Sequence, residues 1–155
     1  MKFAEDVGWP LIAEPSSGAR FGRKAVTNYR KVLAGNPDLL SEIRAAVVFG
    51  KPTLARAVIA ILRDPAVEVS VVKNPRMGFF DVTKRAKRQI DIAESDSVAG
   101  DVENLKHGWL ARWKEAAKEA ATGSAEASSA ANLSRATLIR EVWLATATED
   151  NLFLG

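Results

Sequence analysis

The stretch Val67–Thr83 (VEVSVVKNPRMGFFDVT) decides the fold that we predict from the sequence. Val67, Val69 and Val71 alternate with polar residues at a spacing of two, which is typical of a strand with one buried face. Asn74–Gly78 contains proline and glycine, as a turn does, and residues 79–83 then read as the returning strand. We therefore predict a β-hairpin near residues 66–83.

Three short helices are predicted before this hairpin. Apolar residues at helical spacing indicate a first helix from about residue 23 to Gly35, because glycine is a common helix stop. Asn36 and Pro37 are a helix start signal, and the apolar spacing carries this second helix to residue 49. The third helix runs from Thr53 to Arg63. The three helices are expected to form a compact cluster.

Two longer helices are predicted after the hairpin, one from Asp101 to about residue 122 and one starting at Ser134. The predicted fold is thus a mostly helical α+β domain with a three-helix cluster, one hairpin and two longer C-terminal helices. Residues 1–22, broken by prolines and glycines, are predicted to be an extended N-terminal arm. Residues 23–150 form the single domain, and residues 151–155 are an apolar C-terminal tail.

Composition excludes several kinds of chemical site. The 155 residues include no cysteine and one histidine, so thiolate zinc sites, iron–sulfur clusters and cysteine nucleophiles are excluded. His107 has no obvious nucleophile or metal partner at helical spacing, and the sequence reveals no positioned group that would make it a general base. The acids Asp91 and Glu94 lie in a polar run that is typical of solvated carboxylates. We predict no catalytic residue, no metal site and no cofactor.

Charge is divided unevenly along the chain. Residues 1–90 carry 16 basic and 8 acidic side chains, whereas residues 91–155 carry 6 and 11. A basic half of this kind is typical of contact with an anion or with an acidic partner. Clustered cations can neutralise phosphates without reading sequence. The candidate nucleic-acid-binding residues are Arg20, Arg23, Lys24, Arg30, Lys31, Lys84, Arg85, Lys87 and Arg88.

Apolar residues in the arm and the tail suggest contacts between subunits. Trp9 is hard to place in a core from its position in the arm, and tryptophan is enriched at the centres of interfaces. Trp109 and Trp113 share one helical face, where core packing is the simpler explanation. The candidate interface residues are Phe3, Trp9, Leu11, Trp109, Trp113, Leu152, Phe153 and Leu154.

The motif Gly50-Lys51-Pro52-Thr53 is similar in part to a phosphate-binding loop. Ala45 stands where that motif needs its first glycine, proline separates lysine from threonine, and no strand is predicted before it. We therefore interpret it as a turn between two helices. Those helices and the hairpin have the element order of part of a winged helix, in which Arg56 and Arg63 would contact bases. A helix-turn-helix DNA-binding protein is therefore the alternative function.

Together these features predict a non-enzymatic structural subunit of a larger oligomeric particle, of the kind found in virus- or phage-like virions. Its arms would contact neighbouring subunits, and its basic half would face nucleic acid. The expected partners are further copies or other subunits of the assembly, without a membrane contact. The N-terminal residues lack the apolar run of a signal peptide, so we expect cytoplasmic synthesis followed by incorporation into a virion.

Overall fold

The computed structural model describes residues 2–76, 78–91, 108–126 and 135–147. The chain divides into two compact units, Met1–Lys118 and Glu119–Gly155. The first unit contains a parallel sheet with helices, and the second contains the end of one helix and the whole of another. The elements in chain order are α1 (Lys2–Val7), a 3-10 turn (Pro15–Ser17), α2 (Tyr29–Gly35), α3 (Pro37–Ser41), β1 (Ala45–Phe49), α4 (Arg56–Arg63), β2 (Glu68–Val72), β3 (Arg88–Ile90), α5 (Trp109–Glu126) and α6 (Arg135–Ala145).

The sheet has three parallel strands in the order β1-β2-β3. Ala45 of β1 is opposite Glu68 of β2, and Ser70 of β2 is opposite Arg88 of β3. Helix α4 connects β1 to β2, which is the usual crossover between parallel strands. The central strand β2 is buried from its second residue onward, and even Ser70 is only 6% exposed. Strands covered on both faces are typical of parallel sheets.

The core lies between the sheet and α4. Val48 of β1, Leu62 of α4 and three residues around β2 are buried together. Val67, Val69 and Val71 lie on one face because successive side chains of an extended chain point to opposite faces. Leu62 is the buried residue of α4. The segment before β3 adds partly buried apolar side chains to this cluster. The buried members are Val48, Leu62, Val67, Val69 and Val71, and the partly buried ones are Ile43, Ala46, Val58, Ile61, Val82 and Ala86.

The predicted β-hairpin is wrong. The first strand is present as β2, and Asn74 and Gly78 do form a tight turn, with two backbone hydrogen bonds of 2.8 and 2.9 Å. Residues 79–83 form no strand, however, and the partner of β2 is β3, which runs parallel to it. Val82 packs against the core cluster instead of continuing a ladder. Its burial, which is set by tertiary contact, outweighs its strand-like local sequence.

The three-helix cluster is also wrong, because the second predicted helix stops early. Helix α3 begins at Pro37 after Asn36, as predicted, but ends at Ser41. Residues 45–49 are then strand β1. A short apolar run such as AAVVF fits a buried strand as well as a helix, so its period could not separate the two. Pairing with β2 makes this run a strand.

The N-terminal residues are folded onto their own unit instead of forming an extended arm. Residues Lys2–Val7 are helix α1, and the Phe3 ring lies 6.2 Å from the Trp9 ring and 5.6 Å from that of Phe49. The backbone of Leu11 donates a hydrogen bond to Lys24 at 2.8 Å and accepts one from Val26 at 2.9 Å. The predicted tail, residues 151–155, lies outside the described residues.

Candidate functional site

The carboxyl ends of the three strands lie at one edge of the sheet, because all three strands run in the same direction. This edge is where open parallel α/β sheets bind ligands. Two loops emerge there, residues 50–55 after β1 and residues 73–87 after β2. Asp91 follows β3 and forms a 3.5 Å ion pair with Lys73, the first residue after β2. We define this region as the carboxyl edge.

The loop after β1 binds a carboxylate that comes from elsewhere in the chain. Glu14 Oε1 accepts hydrogen bonds from the backbone N–H groups of Thr53 at 3.1 Å, Leu54 at 2.7 Å and Ala55 at 3.3 Å. Glu14 Oε2 accepts a second hydrogen bond from the Thr53 N–H at 3.1 Å. Ala55 is the N-cap of α4 and has no side-chain cap of its own. Glu14 therefore satisfies donors at the positive end of a helix, where a negative charge is stabilised.

This geometry corrects our interpretation of Gly50-Lys51-Pro52-Thr53. The motif does not join two helices: strand β1 ends at Phe49 directly before it, and α4 begins at Arg56 after it. Gly50 has a φ of 77°, a left-handed conformation that glycine adopts without strain. The segment is therefore a strand–loop–helix connection, which is the structural context of a phosphate-binding loop, although its sequence differs from that motif.

The loop after β2 is held together by Asp81. Its carboxylate accepts hydrogen bonds from the Thr83 N–H and hydroxyl, both at 3.1 Å, and from the Ala86 N–H at 2.7 Å. Burial alone would raise the pKa of Asp81, but the hydrogen bonds from Ala86 and Thr83 outweigh it and hold the pKa below its usual value. The Lys51 ammonium, 5.7 Å from the Phe80 ring centroid, brings the two loops together.

The predicted nucleic-acid-binding residues lie in two regions of the first unit. Lys84 and Arg85 are exposed in the loop after β2. Lys87 and Arg88 lie at the start of β3 and form ion pairs of 3.8 and 3.4 Å with Glu68 at the start of β2. Arg20, Arg23, Arg30 and Lys31 are exposed, and Lys24 is half-buried. Their binding of nucleic acid stays a prediction.

The predicted interface residues that the structure describes are half-buried or buried. Phe3, Trp9, Leu11 and Trp109 are half-buried, and Trp113 is 2% exposed. The rings of Trp109 and Trp113 meet edge to face at 5.8 Å. Trp113 is therefore a core residue of the first unit. Leu152, Phe153 and Leu154 lie outside the described residues, and contacts with other subunits stay a prediction.

The sequence analysis missed Glu14 and Asp81. Asp81 carried a local signal, because aspartate often accepts hydrogen bonds from the backbone two residues later. Glu14 carried none, since its partners lie about 40 residues away in sequence. Within the described ranges, no group of three or more His, Asp or Glu side chains is placed to hold a metal ion. His107 lies outside those ranges. No helix in the described part of the chain is long and apolar enough to cross a membrane.

Comparison with known proteins relates the chain to one kind of enzyme. It is 39% identical over 155 residues to the 2-succinyl-5-enolpyruvyl-6-hydroxy-3-cyclohexene-1-carboxylate synthase of Kineococcus radiotolerans, an alignment that covers 97% of this chain and 27% of that protein. The synthase of the same name from Renibacterium salmoninarum is 33% identical over 154 residues, covering 99% of this chain and 26% of that protein. The one from Nocardioides sp. is 52% identical over 66 residues, covering 43% of this chain and 12% of that protein. No family model matches the chain.

The chain thus spans about a quarter of the length of the relatives that it matches throughout. These relatives overturn the prediction of a non-enzymatic virion subunit, because the proteins similar to nearly the whole chain are named as synthases. They also overturn the predicted incorporation into a virion. The alternative, a helix-turn-helix DNA-binding protein, is wrong as well, because its first helix is largely replaced by strand β1.

Proposed function

We propose that the chain is the α/β module of an enzyme that forms 2-succinyl-5-enolpyruvyl-6-hydroxy-3-cyclohexene-1-carboxylate. The observation that carries this proposal is the 39% identity to the Kineococcus radiotolerans synthase along 97% of the chain. Similarity over such a length supports a shared module, since it includes the sheet, the helices and the loops at the carboxyl edge. The rest of such an enzyme would supply most of the reacting groups.

The contacts of the carboxylates at the carboxyl edge support the proposal that the rest of the enzyme supplies most of the reacting groups. General acid–base chemistry needs a carboxyl group that is free to exchange a proton with a substrate. Glu14 is occupied by three backbone N–H groups, Asp81 by the loop that it organises, and Asp91 by Lys73. In addition, the strand order β1-β2-β3 contains no reversal within the described residues. Such a reversal is where ligands enter sheets of this type.

Exposed apolar side chains at the carboxyl edge support contact with the rest of the enzyme. Phe49 is 48% exposed at the end of β1, Leu54 is 56% exposed in the loop after it, and Phe79 is 38% exposed in the loop after β2. Three large apolar residues at one edge are suited to burial against another protein surface. We therefore place the interface of the module with the remainder of the synthase at the carboxyl edge.

Segment replacement tests the proposal. The matching segment of the Kineococcus radiotolerans synthase is replaced by this chain, and formation of the named product is followed by mass spectrometry in cells that lack their own synthase. We expect the chimera to form the product. A chimera that is soluble, folded and inactive would contradict the proposal.

Two variants of the chimera test the interface. Leu54→Lys places a charge on the carboxyl edge and is expected to lower product formation at least tenfold. Ala45→Lys is the matched control, because Ala45 is exposed at the opposite end of β1. Equal activity of the two variants would place the interface elsewhere.

A further inference from the structure

Strand β1 has one side along which no other strand of the described residues runs. It pairs only with β2, so its other side is an edge of the sheet. Ala45 is opposite Glu68, and the Glu68 N–H donates to the Arg44 carbonyl at 2.8 Å. In a parallel ladder the backbone groups of successive residues point to alternate sides of the strand. The N–H and C=O groups of Val47 and Phe49 therefore point away from β2, toward the edge.

These outward backbone groups have no partner within the described ranges. No hydrogen bond between described residues reaches the N–H or C=O of Val47 or Phe49. Val47 is half-buried, and Phe49 is 48% exposed. A row of unpaired backbone groups along a sheet edge is a template for a further strand. An extended segment can add to such an edge through main-chain hydrogen bonds.

The composition of β1 is that of an interior strand. All five residues, AAVVF, are apolar, and the strand contains neither a charge nor a proline. Interior strands of parallel sheets are near-continuous apolar runs, whereas natural edge strands are short or charged. Strand β3 has these edge features, because it is three residues long and exposes Arg88 and Gln89. The sheet is thus protected along β3 and open along β1.

We propose that the open edge of β1 pairs with an extended apolar strand from the part of the synthase that lies outside this chain. The inference rests on the proposed function and deepens it, from a surface contact to a continued β-sheet. This chain covers only 27% and 26% of the relatives that it matches throughout, so most of such an enzyme is available to supply the strand. Phe49 also belongs to the exposed apolar residues of the carboxyl edge, so the two surfaces are continuous.

A second copy of the chain is the less suitable occupant. Two copies related by a two-fold axis would pair β1 with itself in antiparallel orientation. Strands β1, β2 and β3 are all parallel, and purely parallel sheets are over-represented among known sheets. A strand from elsewhere in the synthase is free to run parallel to β1.

Hydrogen exchange of individual backbone amides tests the proposal. Val48 is the internal control, because its N–H points toward β2 and the residue is 7% exposed. In the isolated chain we expect the Val48 amide to be protected, while those of Val47 and Phe49 exchange freely. In the Kineococcus radiotolerans chimera the amides of Val47 and Phe49 should exchange roughly tenfold more slowly or less than in the isolated chain, with Val48 protected in both.

A pair of variants separates strand pairing from simple burial. Val47→Pro removes the outward N–H and leaves the ladder with β2 intact, and proline is tolerated where that N–H faces solvent. Val47→Ala is the matched control, because it shortens the side chain and keeps the N–H. In the isolated chain the two variants should melt within roughly 4 °C of each other. In the chimera, Val47→Pro should restore rapid exchange at Phe49, whereas Val47→Ala should leave it slow.

Three results would overturn the proposal. One is rapid exchange of Val47 and Phe49 in a folded chimera. Another is protection of both amides in the isolated chain equal to that of Val48, and a rise of this protection with protein concentration would assign the edge to a second copy. The third is an isolated Val47→Pro chain that unfolds while Val47→Ala folds, because the N–H would then be paired within the chain.

The chimera also keeps this inference separate from the proposed function. A chimera that forms the product while Val47 and Phe49 exchange rapidly leaves the proposed function standing and overturns the paired edge. A folded chimera that forms no product contradicts the proposed function, and its exchange pattern is still measured. If the chimera does not fold, exchange at the positions of the Kineococcus radiotolerans synthase aligned with Val47 and Phe49 decides.

Discussion

Replacing Ser70 by lysine distinguishes the observed sheet from the hairpin that the sequence predicts. In a hairpin with one solvated face, Ser70 alternates with Val69 and Val71 and points to solvent, so lysine there would be tolerated. In the observed sheet, β2 is the central strand and Ser70 is 6% exposed between β1 and β3. Ser70→Lys would therefore bury a long charged side chain inside the first unit.

The expected cost follows from this burial. The effective penalty for a buried, unpaired charge is several kcal/mol after the protein relaxes, and overpacking a filled core adds about 1–3 kcal/mol. The sum, on the order of 5 kcal/mol, is comparable with the total stability of a small domain, about 5–15 kcal/mol. Gln89→Lys is the control, since Gln89 is exposed on the neighbouring strand β3. We expect the control to change the free energy of unfolding by about 0.5 kcal/mol or less.

The assay is urea unfolding of the full chain, followed by tryptophan fluorescence and far-ultraviolet circular dichroism. We expect Ser70→Lys either to lower the urea concentration at the unfolding midpoint by most of its wild-type value or to abolish the cooperative transition. A Ser70→Lys protein within 1 kcal/mol of the Gln89→Lys control would refute the reasoning. In that case Ser70 would face solvent, and β2 would not be the centre of the sheet.

Three further predictions concern the core, one loop and the assembly state. Trp113→Ala should lower the free energy of unfolding by about 3–5 kcal/mol, because Trp113 is 2% exposed, whereas Trp109→Ala should cost less; equal costs in urea unfolding would contradict this. Asp81→Asn should cost about 1–2 kcal/mol at pH 7 through lost charged hydrogen bonds. Because folding lowers the pKa of Asp81, this difference should be present above the unfolded value of about 3.9 and disappear as the pH falls through the folded value, which unfolding curves at several pH values would show. Light scattering of nuclease-treated protein is expected to give a mass above the 16.7 kDa of one chain, as the predicted self-association requires, and a monomer would contradict self-association.

The local signals in the sequence identified several elements. The helix that stops at Gly35, the start of α3 at Pro37 after Asn36, and the strand around Val69 and Val71 are all present. Each depends on residues within one or two turns or on a spacing of two, so the chain itself carries the information. The end of the long helix was placed wrongly, since α5 continues through Gly123 to Glu126.

The candidate site was less predictable. Lys51 and Thr53 were singled out in the right segment, but the segment was interpreted as a turn between helices. The error arose because strand β1 was predicted to be helix. Without a strand before Gly50, the segment cannot be recognised as a strand–loop–helix connection. Glu14, which completes the loop, is joined to it by hydrogen bonds across about 40 residues. No local sequence pattern encodes a contact between residues so far apart in the chain.

The sequence by itself determined the end of α2 at Gly35, the start of α3 at Pro37, the strand at β2, the turn at Asn74–Gly78 and the absence of any cysteine chemistry. These depend on backbone preferences and composition, which act at short range. Only the tertiary structure decided that AAVVF is strand β1, that β2 pairs in parallel with β1 and β3, and that Glu14 closes the loop after β1. The physical reason is that strand pairing and burial are set by contacts between distant segments. A short apolar run remains compatible with helix or strand until those contacts form.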